Sequence, residues 1–134
     1  MTEVPAHAEE RLRTDRTIWM ATVTAEGTPA VRPVWFTWDG AGILLYSQPR
    51  TAKLRHLERN PRTCLHLDPD EWGEDVVVLT GEARVAPEQP AADQVAEYVE
   101  KYRSGFERLG MSAAEFAADY SVPILVSIDR VETY

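Results

Sequence analysis

Three β-type segments joined by very short turns constrain the fold of this chain more than any other feature. The segments span residues 17–24, 30–38 and 42–47, and Gly27 and Gly40 lie in the turns between them. Parallel neighbours need a crossover of a dozen or more residues, whereas links this short allow only hairpins. The sequence therefore predicts an antiparallel meander at the start of the fold.

Three more β-type segments and four helical segments accompany this meander. Strands are predicted over residues 63–68, 75–85 and 122–131. Helices are predicted over residues 5–13, 51–60, 95–109 and 113–119. Gly81, in the middle of the fifth strand, indicates a bulge or a close backbone contact.

Six mostly antiparallel strands with interposed helices favour closure of the sheet, because closure removes its exposed edges. A chain of 134 residues is long enough for one hydrophobic core and too short for two. We therefore expect a mainly β fold with interposed helices, a six-stranded antiparallel β-barrel, forming a single domain over residues 1–134.

Charge and apolar patterning exclude several classes of function. The formal net charge of -8 opposes binding to nucleic acid, which rests on a surplus of Lys and Arg. The apolar stretches are far shorter than the roughly 20 residues that cross a bilayer, and residues 1–14 lack the apolar core of a signal peptide. A lone cysteine, Cys64, agrees with a reducing compartment. We expect a cytoplasmic protein with neither nucleic acid nor membrane as a partner.

A cluster of basic residues stands out in this acidic chain. It falls within thirteen residues, is opposed only by Glu58, and comprises Arg50, Lys53, Arg55, Arg59 and Arg62. The cluster coincides with the predicted start of a helix, where free backbone N–H groups of residues 51–53 favour an anion. The hydroxyls of Ser47 and Thr51 could add neutral hydrogen bonds, so the segment suits a phosphate group. The alternative is a solvated helix face with scattered ion pairs.

The second predicted strand is aromatic and is interrupted by a proline. Arg32 and Pro33 stand among apolar neighbours that include Trp35 and Trp38. Proline cannot donate to a sheet ladder, so it places this segment at an edge or a widened gap, where free backbone groups could bind a planar ring. The alternative is that these aromatic residues, and Trp72 in a later loop, belong to the core or to a dimer interface.

The residues that usually carry catalysis or bind metals are dispersed. His7, His56 and His66 are far apart, and no cysteine, histidine or carboxylate spacing matches a metal site. We therefore expect no metal, and the sequence assigns no catalytic residue.

Four segments together resemble the pyridoxamine 5'-phosphate oxidase-like split-barrel family. They are TIWMATV at residues 17–23, GTPAVRPVWF at 27–36, LYSQPRTAKLRHL at 45–57 and NPR at 60–62. The chain is most similar to the small branch that depends on the deazaflavin coenzyme F420. The resemblance implies an FMN-binding type of split barrel and a homodimer with cofactor sites at the interface.

The resemblance also implies positions for the cofactor. The implied phosphate contacts are Arg50, Thr51, Ala52 and Lys53, with Arg55 next to them. The implied ring contacts are Arg32, Pro33, Val34, Tyr46 and Ser47, with Trp72 approaching from the partner subunit.

The implied activity is hydride transfer from reduced F420 to a small electron-poor organic acceptor. Two alternatives remain open. One is an FMN-dependent oxidoreductase of the same fold, and the other is a noncatalytic carrier or sensor of a flavin, a deazaflavin or haem.

Overall fold

The computed structural model describes residues 3–134, which form a strongly curled antiparallel sheet with helices around it. The strands are β1 (Ile18–Val23), β2 (Pro29–Val34), β3 (Thr37–Trp38), β4 (Gly42–Ser47), β5 (Arg62–His66), β6 (Val77–Val85) and β7 (Val122–Thr133). The helices are α1 (Ala6–Thr14), α2 (Ala52–Arg59), α3 (Ala96–Leu109) and α4 (Ala113–Asp119), with a 3-10 turn at Ala92–Gln94. None of the helices in this part of the chain is long and apolar enough to cross a membrane.

The strand order explains why the sheet curls. The order is β2-β1-β5-β6-β7-β4-β3, so β2 and β3 lie at opposite ends of the sheet. Only Trp35 and Phe36 separate these two strands along the chain. Three Cα–Cα steps separate Val34 from Thr37 and span roughly 11 Å at most, so the two ends of the sheet must approach each other. The predicted mainly β barrel architecture is confirmed.

The prediction of one continuous strand over residues 30–38 is wrong. The segment breaks at Trp35 and Phe36, and its two halves pair with different neighbours, β2 with β1 and β3 with β4. At the break, the Phe36 N–H donates to the Tyr102 hydroxyl at 2.8 Å, and the Lys101 ammonium donates to the Phe36 carbonyl at 3.0 Å. Side chains of α3 thus replace a strand partner at Phe36. The described sheet therefore has seven strands instead of the predicted six.

Gly81 lies at a bulge in β6, as the sequence predicts. The pairing register between β6 and β7 shifts between Thr80 and Gly81, which is the signature of a bulge. A Cβ atom at Gly81 would lie 2.0 Å from the Ser127 carbonyl oxygen. The bulge therefore brings the backbones of β6 and β7 closer together than any side chain at this position allows.

The barrel interior holds the main hydrophobic core. Its completely buried side chains include Ile18 from β1, Leu45 from β4, Leu79 from β6 and Val126 from β7. Helix α1 adds Leu12 to the same cluster. Fully buried residues alternate with less buried ones along β1 and β5, as the period of two in a strand predicts.

A second cluster lies between β4 and helices α3 and α4. Tyr46 faces this cluster, whereas its neighbour Leu45 faces the barrel, so β4 is buried on both sides. The aromatic members of the cluster are Tyr46, Tyr98, Tyr102, Phe106 and Phe116, with Trp35 packed against them. Two-sided burial accounts for the continuous apolar run of this strand, in contrast to the alternation expected of a half-exposed one.

Candidate functional site

The start of α2 presents free backbone donors. Thr51 precedes the helix in an extended conformation, and its side chain does not cap the first turn. Instead its hydroxyl hydrogen-bonds with the buried Ser47 hydroxyl at 3.0 Å, and the Ser47 hydroxyl donates to the Gln48 carbonyl at 2.8 Å. Backbone N–H groups in the first turn of a helix favour an anion when no side chain occupies them.

These donors open into a small cleft, which we call the polar cleft. Its volume is about 240 Å³, and its lining includes Arg32, Thr51, Ala52, Lys53, Thr22 and His56. Four of these residues, Arg32 and residues 51–53, are among the cofactor contacts predicted from the sequence. The fold brings them together because α2 packs on β1, and β1 pairs with β2.

Lys53 is half-buried at the edge of the polar cleft. Burial lowers the pKa of its ammonium group, because desolvation disfavours the charged form. In the described part of the chain, neither Lys53 nor Arg32 forms an ion pair with a carboxylate. An anion bound in the polar cleft would provide both cationic side chains with a negatively charged partner.

Sequence reasoning missed Thr22 and His56. The Thr22 hydroxyl and His56 Nδ1 form a hydrogen bond of 2.8 Å. His56 follows Lys53 by three residues on α2, a spacing that places two side chains on one helix face. That spacing was the available signal for His56, whereas Thr22 reaches the cleft through the pairing of distant strands.

A second cleft, the aromatic cleft, lies on the other side of Lys53. Its volume is about 280 Å³, and its lining includes Pro33, Val34, Trp35, Tyr46, Lys53 and Tyr98. The Tyr46 hydroxyl donates to the Pro90 carbonyl at 2.7 Å. Burial, followed by the nearby Asp93 carboxylate, raises the pKa of Tyr46 to about 12, so this phenol stays neutral at physiological pH. Lys53 thus borders both a polar cleft and one suited to a planar ring.

Three predicted contacts lie outside the polar and aromatic clefts. Arg50 and Arg55 line a groove of about 550 Å³ that adjoins the polar cleft at Thr51, and Arg55 Nη1 donates to the Arg50 carbonyl at 3.1 Å. Arg50 has a left-handed backbone, with φ of 62°. Trp72 is 82% exposed in the loop before β6 and lines none of these clefts. Its predicted approach from the partner subunit stays a prediction.

The described residues provide no grouping of three or more His, Cys, Asp or Glu side chains that could hold a metal ion. The ionisable side chains of the polar cleft are Arg32, Lys53 and His56. This composition suits binding of an anion, and the chemistry would then come from the bound molecule.

Comparison with known proteins assigns the family. The sequence model of the pyridoxamine 5'-phosphate oxidase family matches residues 4–132. The chain belongs to this family. The match covers strands β1 to β6 and all but the last residue of β7, so membership of this family accounts for the predicted split-barrel fold.

Several solved structures share this fold. An F420 reductase is 26% identical, with a TM-score of 0.71 over 96% of this chain and 98% of its own. A conserved hypothetical protein from Mycobacterium tuberculosis is 20% identical, with a TM-score of 0.71 over 96% and 82%. A haem storage protein from Vibrio cholerae is 17% identical, with a TM-score of 0.65 over 96% and 93%. No curated protein sequence matches the chain.

Proposed function

We propose that this protein is an oxidoreductase that binds the deazaflavin coenzyme F420 and transfers a hydride to a small electron-poor organic acceptor. The observation that carries the proposal is the position of Lys53, which borders both the polar cleft and the aromatic cleft. One molecule with a phosphate and a planar ring could occupy both clefts. Similarity to an F420 reductase at 26% identity supports F420 as that molecule.

The proposal gives each side of the site a separate task. The first-turn N–H groups of α2 and the side chains of Arg32 and Lys53 bind the phosphate. Arg50 and Arg55, in the adjoining groove, are positioned for a charged tail or a further oxygen. Ser47 acts through Thr51, because their hydrogen bond holds the start of the helix in place.

The aromatic cleft would hold the ring. Pro33 and Val34 line it from the edge strand β2, and Tyr46 lines it from β4. The two sides together orient the ring and exclude water from one of its faces. When bound in reduced form, F420 supplies the hydride at C5. An enone acceptor would take this hydride at its β-carbon and a proton from water at its α-carbon.

We also propose a homodimer with cofactor sites at the interface. Each protomer leaves the edge strand β2 with Val31 40% exposed, and Trp72 projects from its loop. A partner subunit that covers these groups would supply the second wall of the ring site. Sedimentation at micromolar concentration is expected to give a dimer. A monomer under the same conditions would contradict this arrangement.

Cofactor choice is tested by titrating cofactor-free protein with F420, FMN and haem in parallel. Trp35 lines the aromatic cleft, so tryptophan fluorescence should report binding there. We expect tight binding of F420 and weaker binding of the other two. Preference for FMN would replace the proposal with an FMN-dependent oxidoreductase, and preference for haem would favour a carrier.

Turnover separates an enzyme from a carrier that also binds F420. The reduced complex is mixed with enone and quinone acceptors, and oxidation of the deazaflavin is followed by absorbance. Oxidation that depends on the acceptor would support the proposal. Tight binding of F420 without turnover across a broad panel would contradict it in favour of the carrier function.

A further inference from the structure

A third cleft lies beside α3, and nothing in the sequence analysis indicates it. We call it the α3 cleft. Its volume is about 340 Å³, and its lining includes Arg16, Trp35, Lys101, Tyr102, Arg108 and Leu109. Trp35 and Leu109 also line the aromatic cleft, so the two clefts are neighbours. A ligand in the α3 cleft would therefore lie close to the proposed ring site.

Three cations meet in the α3 cleft without a carboxylate partner. Within residues 3–134, Arg16, Lys101 and Arg108 form no ion pair. By contrast, arginines that pair with a carboxylate include Arg11, Arg13, Arg62, Arg84, Arg103 and Arg130. Acidic residues outnumber basic ones by 22 to 14, so the absence of partners here does not reflect a shortage of carboxylates. The lining of the cleft contains three cations and no carboxylate, in a protein whose overall charge is negative.

Lys101 lines this cleft and is held by contacts with Phe36. Its ammonium donates to the Phe36 carbonyl and lies 3.8 Å from the centroid of the Phe36 ring. An ammonium group has three donors, so others remain for a ligand. Burial lowers the pKa of Lys101 to about 8, while Glu97 and Asp15 oppose the shift. An anion in the cleft would offset the cost of keeping this charge partly buried.

Trp35 supplies a flat apolar wall. Its ring stacks on Tyr102, with 4.5 Å between centroids and an interplanar angle of 5°, and on Phe116, with 5.3 Å and 17°. Gly105 permits this arrangement, because a Cβ atom there would lie 2.6 Å from Trp35 Cη2. The indole is therefore held rigidly against α3. A planar molecule could contact the edge of the indole while its charged end reaches the three cations.

We propose that the α3 cleft binds the carboxylate of a planar organic acceptor, so that the protein selects anionic acceptors over neutral ones. Two guanidinium groups and an ammonium suit a carboxylate, since guanidinium can bind both of its oxygens. The role of the ligand as acceptor rests on the proposed function, whereas the binding of the carboxylate does not.

The test compares trans-cinnamate with cinnamamide, its neutral counterpart of nearly the same shape. Calorimetric titration of cofactor-free protein at pH 7 is expected to show at least tenfold tighter binding of cinnamate. Arg108→Gln should weaken cinnamate binding about tenfold, as loss of a charge-assisted hydrogen bond predicts, and leave cinnamamide unchanged. Arg103→Gln is the matched control, because Arg103 lies on the same helix, is exposed and pairs with Glu100. The control should change neither affinity.

The pH dependence provides a second readout. The charged groups that face Lys101 are Arg16, Arg108, Asp15 and Glu97, and burial raises the pKa of the Tyr102 phenol so that it stays neutral. Lys101 is then the group that changes charge near pH 8. Cinnamate affinity should fall as the pH rises from 7 to 9.5. Lys101→Gln should bind cinnamate more weakly at pH 7 and remove this dependence.

Equal affinity for cinnamate and cinnamamide would overturn the proposal, and so would an Arg108→Gln variant with unchanged cinnamate affinity. Arg108 lines neither the polar nor the aromatic cleft, so its variant should bind F420 as the wild type does. Selective binding of cinnamate by a protein that fails to bind F420 would support the carboxylate site and contradict the proposed function. The two failures are therefore distinguishable.

Discussion

Replacing Lys53 by methionine is expected to weaken F420 binding by about 10- to 100-fold, because a charge-assisted hydrogen bond to phosphate contributes roughly 1.5 to 3 kcal/mol. Methionine keeps most of the apolar stem, so packing at the half-buried position is largely preserved. Lys53 has no carboxylate partner among residues 3–134, so its removal leaves no protein anion unpaired. The measurement is the dissociation constant of F420 from cofactor-free protein by fluorescence titration.

Arg59→Met is the matched control for this prediction. Arg59 lies at the end of the same helix, is exposed, and lines none of the clefts described above. Its loss should change F420 affinity by less than about twofold, the small effect expected of an exposed charge away from the ligand. An unchanged affinity in folded Lys53→Met protein would count against the proposed phosphate site. An equal loss in both variants would show only a general electrostatic effect and would also contradict it.

Gly81→Ala is expected to lower the free energy of unfolding by about 3 kcal/mol, at the upper end of the usual cost of overpacking. The added Cβ would lie 2.0 Å from the Ser127 carbonyl oxygen. That oxygen belongs to the backbone of β7, so no side-chain rotation can relieve the contact. Strand β6 lies between β5 and β7, and a shift of β7 would disturb the middle of the sheet. Urea unfolding followed by circular dichroism measures the change.

Gly27→Ala separates this steric effect from backbone strain. Gly27 has φ of 85°, which disfavours alanine, but a Cβ there would meet nothing within 4 Å. The expected cost is about 1 to 2 kcal/mol. If Gly81→Ala costs no more than Gly27→Ala, then the close approach of β6 and β7 is not what requires a glycine at position 81.

Local signals in the sequence predicted most elements of the fold. Gly110 ends α3 in a left-handed conformation, and the residues predicted for α4 are those observed. Pro33 lies on the edge strand β2, as its missing N–H predicts. The error at residues 30–38 has a nonlocal cause. The break depends on Tyr102 and Lys101, more than 60 residues away, and no short-range pattern in the strand reports them.

The residues of the candidate site also fall into a group that is local in sequence and a group that only the tertiary structure brings together. The contacts at residues 51–53 share one helix start, so the local sequence was enough to group them. The pairing of β1 with β2 brings Arg32 and Thr22 to the polar cleft, where Thr22 bonds to His56 across 34 positions of sequence. Arg16 and Lys101 come from distant elements, so the α3 cleft depends on how α3 packs on the barrel.

The link at Trp35 and Phe36 joins the two ends of the sheet, and Trp35 also lines two clefts. We call this link the seam of the barrel. One of its two residues, Trp35, therefore also belongs to the surface that ligands would contact. An unfolded chain has no such surface, so a ligand bound against Trp35 stabilises the closed seam by mass action. The rise in melting temperature at a fixed ligand concentration therefore increases with ligand affinity. Acceptors can be ranked by this thermal shift without knowledge of the reaction they undergo.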